Sequence, residues 1–249
     1  MWANSHDAVK NYENWFTTPS GKFAFERELK LYRHMVAGWR RRGHTLLDIG
    51  CGPGIFLQVF WESGFDVTGL DASPAMLAAA RQKLGCRADL HLGHAEHLPF
   101  DDNQFDYAVL MTVLEFCKDK EMAVREAVRV AKKGVLVGFL NRFSLHYLMD
   151  VRRSGSADKK NTLRQADWLG SSQVLDLLVQ AAGWRPHKSA SVLAGPESTW
   201  KDRWYSRCLN YPILPAWVGA FAMTRFDLVN EAPFTPIYSM STEPKPYAG

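Results

Sequence analysis

Residues Leu46-Leu47-Asp48-Ile49-Gly50-Cys51-Gly52-Pro53-Gly54 run a short apolar strand into a glycine-rich turn, and Asp71 follows at the end of the next strand-like segment. Glycines at alternate positions remove the Cβ atoms that would hold a ligand away from the backbone, and they permit the dihedrals of a tight turn. A carboxylate about 20 residues beyond such a turn is placed to accept hydrogen bonds from ribose hydroxyls. The pair describes a nucleotide-binding pocket. Its Gly-x-Gly-x-Gly spacing, followed by Ile55, Phe56 and Leu57, is not the Gly-x-Gly-x-x-Gly run of dinucleotide-binding domains, so it points away from a nicotinamide-dependent oxidoreductase.

The elements that must position these residues alternate along the chain. Phe25, Leu29, Tyr32 and Val36 have helical spacing, which predicts an amphipathic helix over 25–36 ahead of the first strand. Strands are predicted at Thr45 to Ile49, Asp66 to Leu70, Ala88 to Leu92, Phe105 to Leu110, Val135 to Leu140, Trp184 to Ser191 and Ala220 to Phe226. Between them lie a helix from Ile55 to Ser63 closed by Gly64, one capped by Ser73 with Pro74 at its first position, one from Lys120 to Lys132 stopped by Gly134, and one through Val174 to Ala182 ended by Gly183. Seven strands with their helices fit a doubly wound α/β sheet. Asn141 to Ala166 and Leu193 to Val218 are too long for ordinary connections and read as lids or binding loops. They hold His146, Tyr147, Trp200, Trp204, Tyr205, Tyr211 and Trp217.

Three ordered segments, LLDIGCGPG, GLDASPAML from Gly69 to Leu77, and GHAEHLPFDDNQFDYAVLMTVLEF from Gly93 to Phe116, together resemble the motifs of class I S-adenosylmethionine-dependent methyltransferases, most closely the bacterial small-molecule group with UbiE-like enzymes. The match spans about 70 residues, which makes it far more specific than one glycine motif. The resemblance implies a three-layer Rossmann-like sheet, mostly parallel with an antiparallel seventh strand, and S-adenosylmethionine as cofactor. It implies that Asp48, Gly50, Cys51, Gly52 and Gly54 support the methionine part and that Asp71 takes the ribose. Ala72 and Met76 then border the adenine, Ala95 and Glu96 face its edge, and Met111 completes the set. Family members often carry Asp where this chain has His94, so the adenine amino contact is left open.

By the same resemblance the acceptor is a small molecule and the by-product S-adenosylhomocysteine. A macromolecule methyltransferase and a non-catalytic cofactor-binding protein stay as alternatives. If the acceptor is a hydroxyl or a protonated amine, a general base is needed, and Glu115 after the fourth strand or His146 and Tyr147 after the fifth are the candidates. The bland alternatives are that Glu115 anchors a helix amino terminus and that His146 is a solvated loop residue. Upstream, Tyr12, Trp15 and Phe16 either form a lid over the cofactor, hinged at Gly21, or pack the first helix onto the domain.

Composition bounds the rest. With 249 residues, 47% of them hydrophobic, the chain is expected to form one methyltransferase domain. It divides into a helical segment 1–42, a cofactor-binding half 43–140 and a substrate-side half 141–249 with inserted loops. No stretch reaches the roughly 20 apolar residues of a bilayer span, and the amino terminus lacks a secretory pattern. Cys51, Cys86, Cys117 and Cys208 show no paired spacing and read as free thiols of a cytoplasmic protein. The net charge of +4 is dispersed in short groups, which argues against nucleic acid as partner. His91, His94 and His97 straddle a strand and a loop without a completing ligand, so no metal is expected. Nothing in the composition sets an oligomeric state.

Overall fold

The computed structural model describes residues 6–152, 166–183 and 186–228. Helices α1 (His6–Thr17) and α2 (Pro19–Met35) come first. Then follow β1 (Thr45–Ile49), α3 (Ile55–Glu62), β2 (Asp66–Asp71), α4 (Pro74–Leu84), β3 (Ala88–Leu92) and β4 (Phe105–Met111). The chain continues through α5 (Lys120–Val130), β5 (Ala131–Leu140), α6 (Ser171–Ala182), β6 (Lys188–Val192), α7 (Trp204–Asn210) and β7 (Phe221–Asp227). One seven-stranded sheet runs in the order β3-β2-β1-β4-β5-β7-β6. β1 to β5 are parallel, and β7 lies antiparallel to both β5 and β6.

The local signals act as their chemistry requires. The Ser73 hydroxyl accepts the Met76 N–H at 3.3 Å with Pro74 opening α4, and Gly183 closes α6 at φ 82°. Thr18 caps α2 in the same way, with Pro19 at its first position, so α2 starts six residues before the expected helix. Gly21 is not a hinge. It lies inside α2, and a Cβ there would strike the Trp15 carbonyl, so the glycine lets α1 and α2 meet closely.

The boundary between α5 and β5 differs from the expectation. α5 ends at Val130, β5 starts at once at Ala131, and Gly134 sits inside the strand instead of stopping the helix. A Cβ on Gly134 would come within 2.9 Å of the Phe226 carbonyl on β7 and 3.1 Å of the Trp39 ring, so close packing, not helix termination, calls for glycine there. β6 begins at Lys188, and the expected Trp184 start lies outside the described residues.

Two apolar layers sandwich the sheet. One holds Phe23, Leu31, Tyr32 and Met35 of α2 with Phe56, Leu57 and Phe60 of α3. The other holds Val124, Ala127 and Val130 of α5 with Val174 and Leu178 of α6. Strand order reverses between β1 and β4, and ligands of open α/β sheets bind beyond the carboxyl ends of the strands at such a switch.

Candidate cofactor cleft and acceptor side

The turn after β1 carries its positive dihedrals at Gly50 (φ 72°), Gly52 (φ 55°) and Gly54 (φ 79°). Around it, Asp48, Gly50, Cys51, Ile55, Phe56, Met111 and, from α1, Tyr12 line a cleft. A Cβ on Gly52 would meet nothing within 4 Å, so that glycine opens directly onto free space. Gly50 faces the other way, where a Cβ would lie 2.5 Å from Val113.

Asp71 ties the turn to β2. Its Oδ2 accepts the Gly52 N–H and its Oδ1 accepts the Ser73 N–H, both at 2.8 Å. Burial raises the Asp71 carboxyl above its ordinary value, partly offset by the backbone N–H groups of Ser73, Gly52 and Ala72. Asp48 stands differently: it is 1% exposed, and neither carboxylate oxygen has a hydrogen-bond partner among the described residues. Burial, reinforced by the Asp71 charge, pushes its carboxyl well above the usual range.

Among the other expected cofactor contacts, Met76 and Ala95 are buried, and Ala72 is exposed at the end of β2. Glu96 accepts the Lys118 N–H at 3.1 Å, and His94 pairs with His97 in a short bridge. None of these lines the cleft itself, which holds the methionine side of the expected set. No three His, Cys, Asp or Glu side chains cluster at metal-binding spacing among the described residues.

Spacing alone hid several site residues. Ile55 and Phe56 were legible as the first residues after the glycine turn. Tyr12 lines the cleft and hydrogen-bonds the Thr112 side chain; burial and the Glu28 and Asp48 carboxylates raise its phenol above the ordinary value. Thr112 holds φ 54°, a costly conformation for a β-branched residue, at the end of β4. Glu28 of α2, within electrostatic reach of Tyr12, is pushed up to about 7 by burial. No sequence pattern marks Thr112 or Glu28.

Beyond the ends of β4 and β5, the three candidate bases part ways. Glu115 is buried, and its Oε1 accepts the Leu140 N–H at 2.6 Å, so it anchors the end of β5 and not a helix amino terminus. Burial pushes it up to about 7. His146 is not a solvated loop residue. It is buried between the rings of Trp168 and Trp200, 5.7 and 4.6 Å away, and its Nδ1 lies 2.9 Å from Asp150 Oδ2. That carboxylate oxygen also accepts the Glu197 N–H at 2.8 Å, joining the two long insertions. Tyr147 packs on Trp168 at 5.1 Å. Trp200 in turn meets Trp15 of α1 edge-on at 6.5 Å, one helical turn beyond Tyr12. Asn141 and Ser144 build the turn that carries His146: Asn141 Oδ1 accepts the Phe143 N–H, and the Ser144 hydroxyl bonds the Asn141 carbonyl.

A methyltransferase-domain family profile matches residues 47–139, from β1 to β5. An uncharacterized protein of Methanocaldococcus jannaschii is 30% identical over 68% of this chain and 76% of its own length. The chain belongs to the S-adenosylmethionine-dependent methyltransferases. Its fold agrees with a solved Thermotoga maritima methyltransferase, described as a possible histamine N-methyltransferase, at a TM-score of 0.70 and 25% identity, covering 92% of this chain and all of that one. A malonyl-[acyl-carrier protein] O-methyltransferase of Erwinia billingiae is 40% identical over 111 residues, 44% of each chain. The chain thus spans less than half the length of that methyltransferase. S-adenosylmethionine is the family's cofactor, and the methyltransferase site fits it: a buried carboxylate without a partner suits a cationic ligand, and the open face of Gly52 admits its backbone.

Proposed function

We propose that this chain transfers the methyl group of S-adenosylmethionine to a small-molecule acceptor in the cytoplasm, releasing S-adenosylhomocysteine. The observation that carries the reading is Asp48, buried without a hydrogen-bond partner where it lines the cleft. A lone carboxylate is expensive to bury, and a bound ammonium or sulfonium group offsets that cost. Asp48 and the Gly50 to Gly54 turn then hold the methionine part, Asp71 the ribose, and Ala72, Met76, Ala95 and Glu96 the adenine side. Ile55, Phe56 and Met111 wall the cleft.

Bound, the cofactor supplies an activated methyl group on sulfur. The chain's own contribution is alignment and dryness. Displacement needs the acceptor atom in line with the methyl group at contact distance, and holding it there supplies much of the acceleration. α1 covers the cleft through Tyr12 and reaches the insertions through Trp15, so it serves as a lid that excludes water. His146 suits the role of general base better than Glu115. Asp150 fixes one ring nitrogen and leaves Nε2 without a hydrogen-bond partner among the described residues, whereas Glu115 is engaged with the β5 backbone. Tyr147 packs beside it as an acceptor-side wall.

Calorimetric titration with S-adenosylmethionine and with NAD, followed by transfer of a radiolabelled methyl group to small-molecule and macromolecular fractions, tests the reading. Binding of S-adenosylmethionine alone and label in the small-molecule fraction are expected. Label confined to protein or RNA would overturn the acceptor class.

A further inference from the structure

Ten large apolar side chains are exposed among the described residues, and seven of them lie in the two insertions after β5 and β6: Phe143, Leu145, Leu148, Met149, Trp204, Leu209 and Trp217. Their exposure is high for aromatic residues, 79% for Trp204, 67% for Trp217 and 62% for Phe143. Single exposed apolar residues are ordinary, but a concentration of this kind marks an interaction surface.

The insertions are tied to one another. Asp150 accepts the Glu197 N–H at 2.8 Å, and Leu209 packs where a Cβ on Gly195 would sit. Phe143 lies against Gly170, and the next residue, Ser171, donates to the carbonyl of Ala216 at 2.8 Å, immediately before Trp217. The apolar residues thus stand on linked segments on the acceptor side.

Charge follows the same segments. Among the described residues Arg142, Arg152, Lys201, Arg203 and Arg207 are exposed there, against two exposed carboxylates, Asp167, which pairs with Lys120 at 2.9 Å, and Asp202, which pairs with Arg207 at 3.1 Å. By sequence, stretches 141–166 and 193–218 carry nine Lys and Arg against four Asp and Glu, so the rest of the chain holds a small excess of acid although the whole is +4. Cations interleaved with exposed Trp, Phe, Leu and Met match the headgroup boundary of an anionic bilayer, where rings and aliphatic chains enter the acyl edge and cations meet lipid phosphates. Nucleic acid would use the cations but gains little from exposed Leu and Met. Among the described residues no helix is long and apolar enough to cross a membrane, so contact would be peripheral.

We propose that the face built by Phe143, Leu148, Trp204 and Trp217 with Arg142 and Arg203 docks the protein on anionic lipid bilayers, setting the acceptor side of the cleft against the membrane. The docking itself uses none of the residues assigned to the cofactor, while the placing of the acceptor side against the membrane rests on the methyl-transfer reading.

Co-sedimentation of the full chain with phosphatidylcholine vesicles, with and without phosphatidylglycerol, tests it. Partitioning onto the anionic vesicles, weakened by salt and accompanied by a blue shift of tryptophan emission, is expected. Trp204→Ser with Trp217→Ser should lower partitioning about tenfold or more, and Arg142→Glu with Arg203→Glu at least about fivefold. Melting temperatures should stay at the parent value, because these side chains are exposed. Equal binding to neutral and anionic vesicles, or a double-tryptophan variant that partitions like the parent, overturns the proposal. So does retention on RNA or an acidic carrier protein with none on vesicles.

Discussion

Asp71 holds Gly52 from across the turn: its Oδ2 accepts the Gly52 N–H at 2.8 Å while its Oδ1 accepts the Ser73 N–H at the same distance. One carboxylate therefore sets both the glycine turn and the start of α4. Asp71→Ala should weaken S-adenosylmethionine binding by about 1.5 to 3 kcal/mol, the scale of charge-assisted hydrogen bonds. It should also lower the melting temperature by a few degrees, since two backbone donors lose their acceptor. Isothermal titration and thermal unfolding check both, and unchanged affinity would remove Asp71 from the cofactor site.

Gly52→Val should abolish cofactor binding with far-UV spectra near native. Gly52 sits at φ 55° with open space in place of a Cβ, so valine enters the ligand's path while clashing with nothing in the protein. Its strain, about 1 to 2 kcal/mol or somewhat more for a β-branched residue, leaves the domain folded. Gly50→Ala makes the contrast: its Cβ meets Val113 within the protein, so it should cost stability as well as affinity.

Of the two amino-terminal helices, only α1 is expected to act as a lid. Phe23, Leu31, Tyr32 and Met35 of α2 belong to the core, so removing residues through Met35 would expose apolar surface. A chain starting at Thr18 should stay folded and bind S-adenosylmethionine within about threefold of the parent, with single-turnover methyl transfer falling more steeply, about tenfold or beyond. Tyr12→Phe tests the same contact more gently, by removing the Thr112 hydrogen bond. Full activity in the truncated chain would exclude the lid, and an insoluble product would favour a packing role.

His146→Gln should reduce turnover about 10² to 10⁴-fold with cofactor affinity retained, the range expected for loss of a general base. Asp150→Asn should act in the same direction but less severely, because it disturbs the ring's orientation and leaves the imidazole in place. If turnover falls only in proportion to the folded fraction, His146 is a packing residue.

Glu115 supplies a pH test. Burial raises its pKa from 4.5 to about 7, so across that interval the folded state binds more protons than the unfolded chain. Stability then falls as pH rises from about 4.5 to 7, in the sense opposite to a salt-bridged carboxylate. Glu28, also pushed up to about 7, adds to the slope. Glu115→Gln keeps an oxygen for the Leu140 N–H and removes this proton uptake, so it should flatten the slope and gain about 1 to 3 kcal/mol at neutral pH. Urea unfolding at pH 5 and pH 7.5 measures it, and a parallel pH dependence in both proteins would count against a buried titrating Glu115.

The glycine turn, the Ser73-Pro74 start of α4, the Gly183 stop and the alternation of strand and helix could be read from the chain, because each is decided by neighbours within a few residues: a missing Cβ, a capping hydroxyl, an apolar period. Gly134 shows where that logic ends. Beside a helix pattern it looks like a stop signal, but its reason is the approach of β7 and Trp39, brought there only by sheet order. The same holds for the segments after β5 and β6. His146 is buried by Trp168 and Trp200 and held by Asp150, and Tyr12 comes within reach of Glu28, Asp48 and Thr112 only once α1 folds over the end of β4. The sequence alone determined which pocket the backbone makes, since that is local geometry. Which side chains close it depended on contacts between distant segments, and those form only when the sheet and its two insertions pack together.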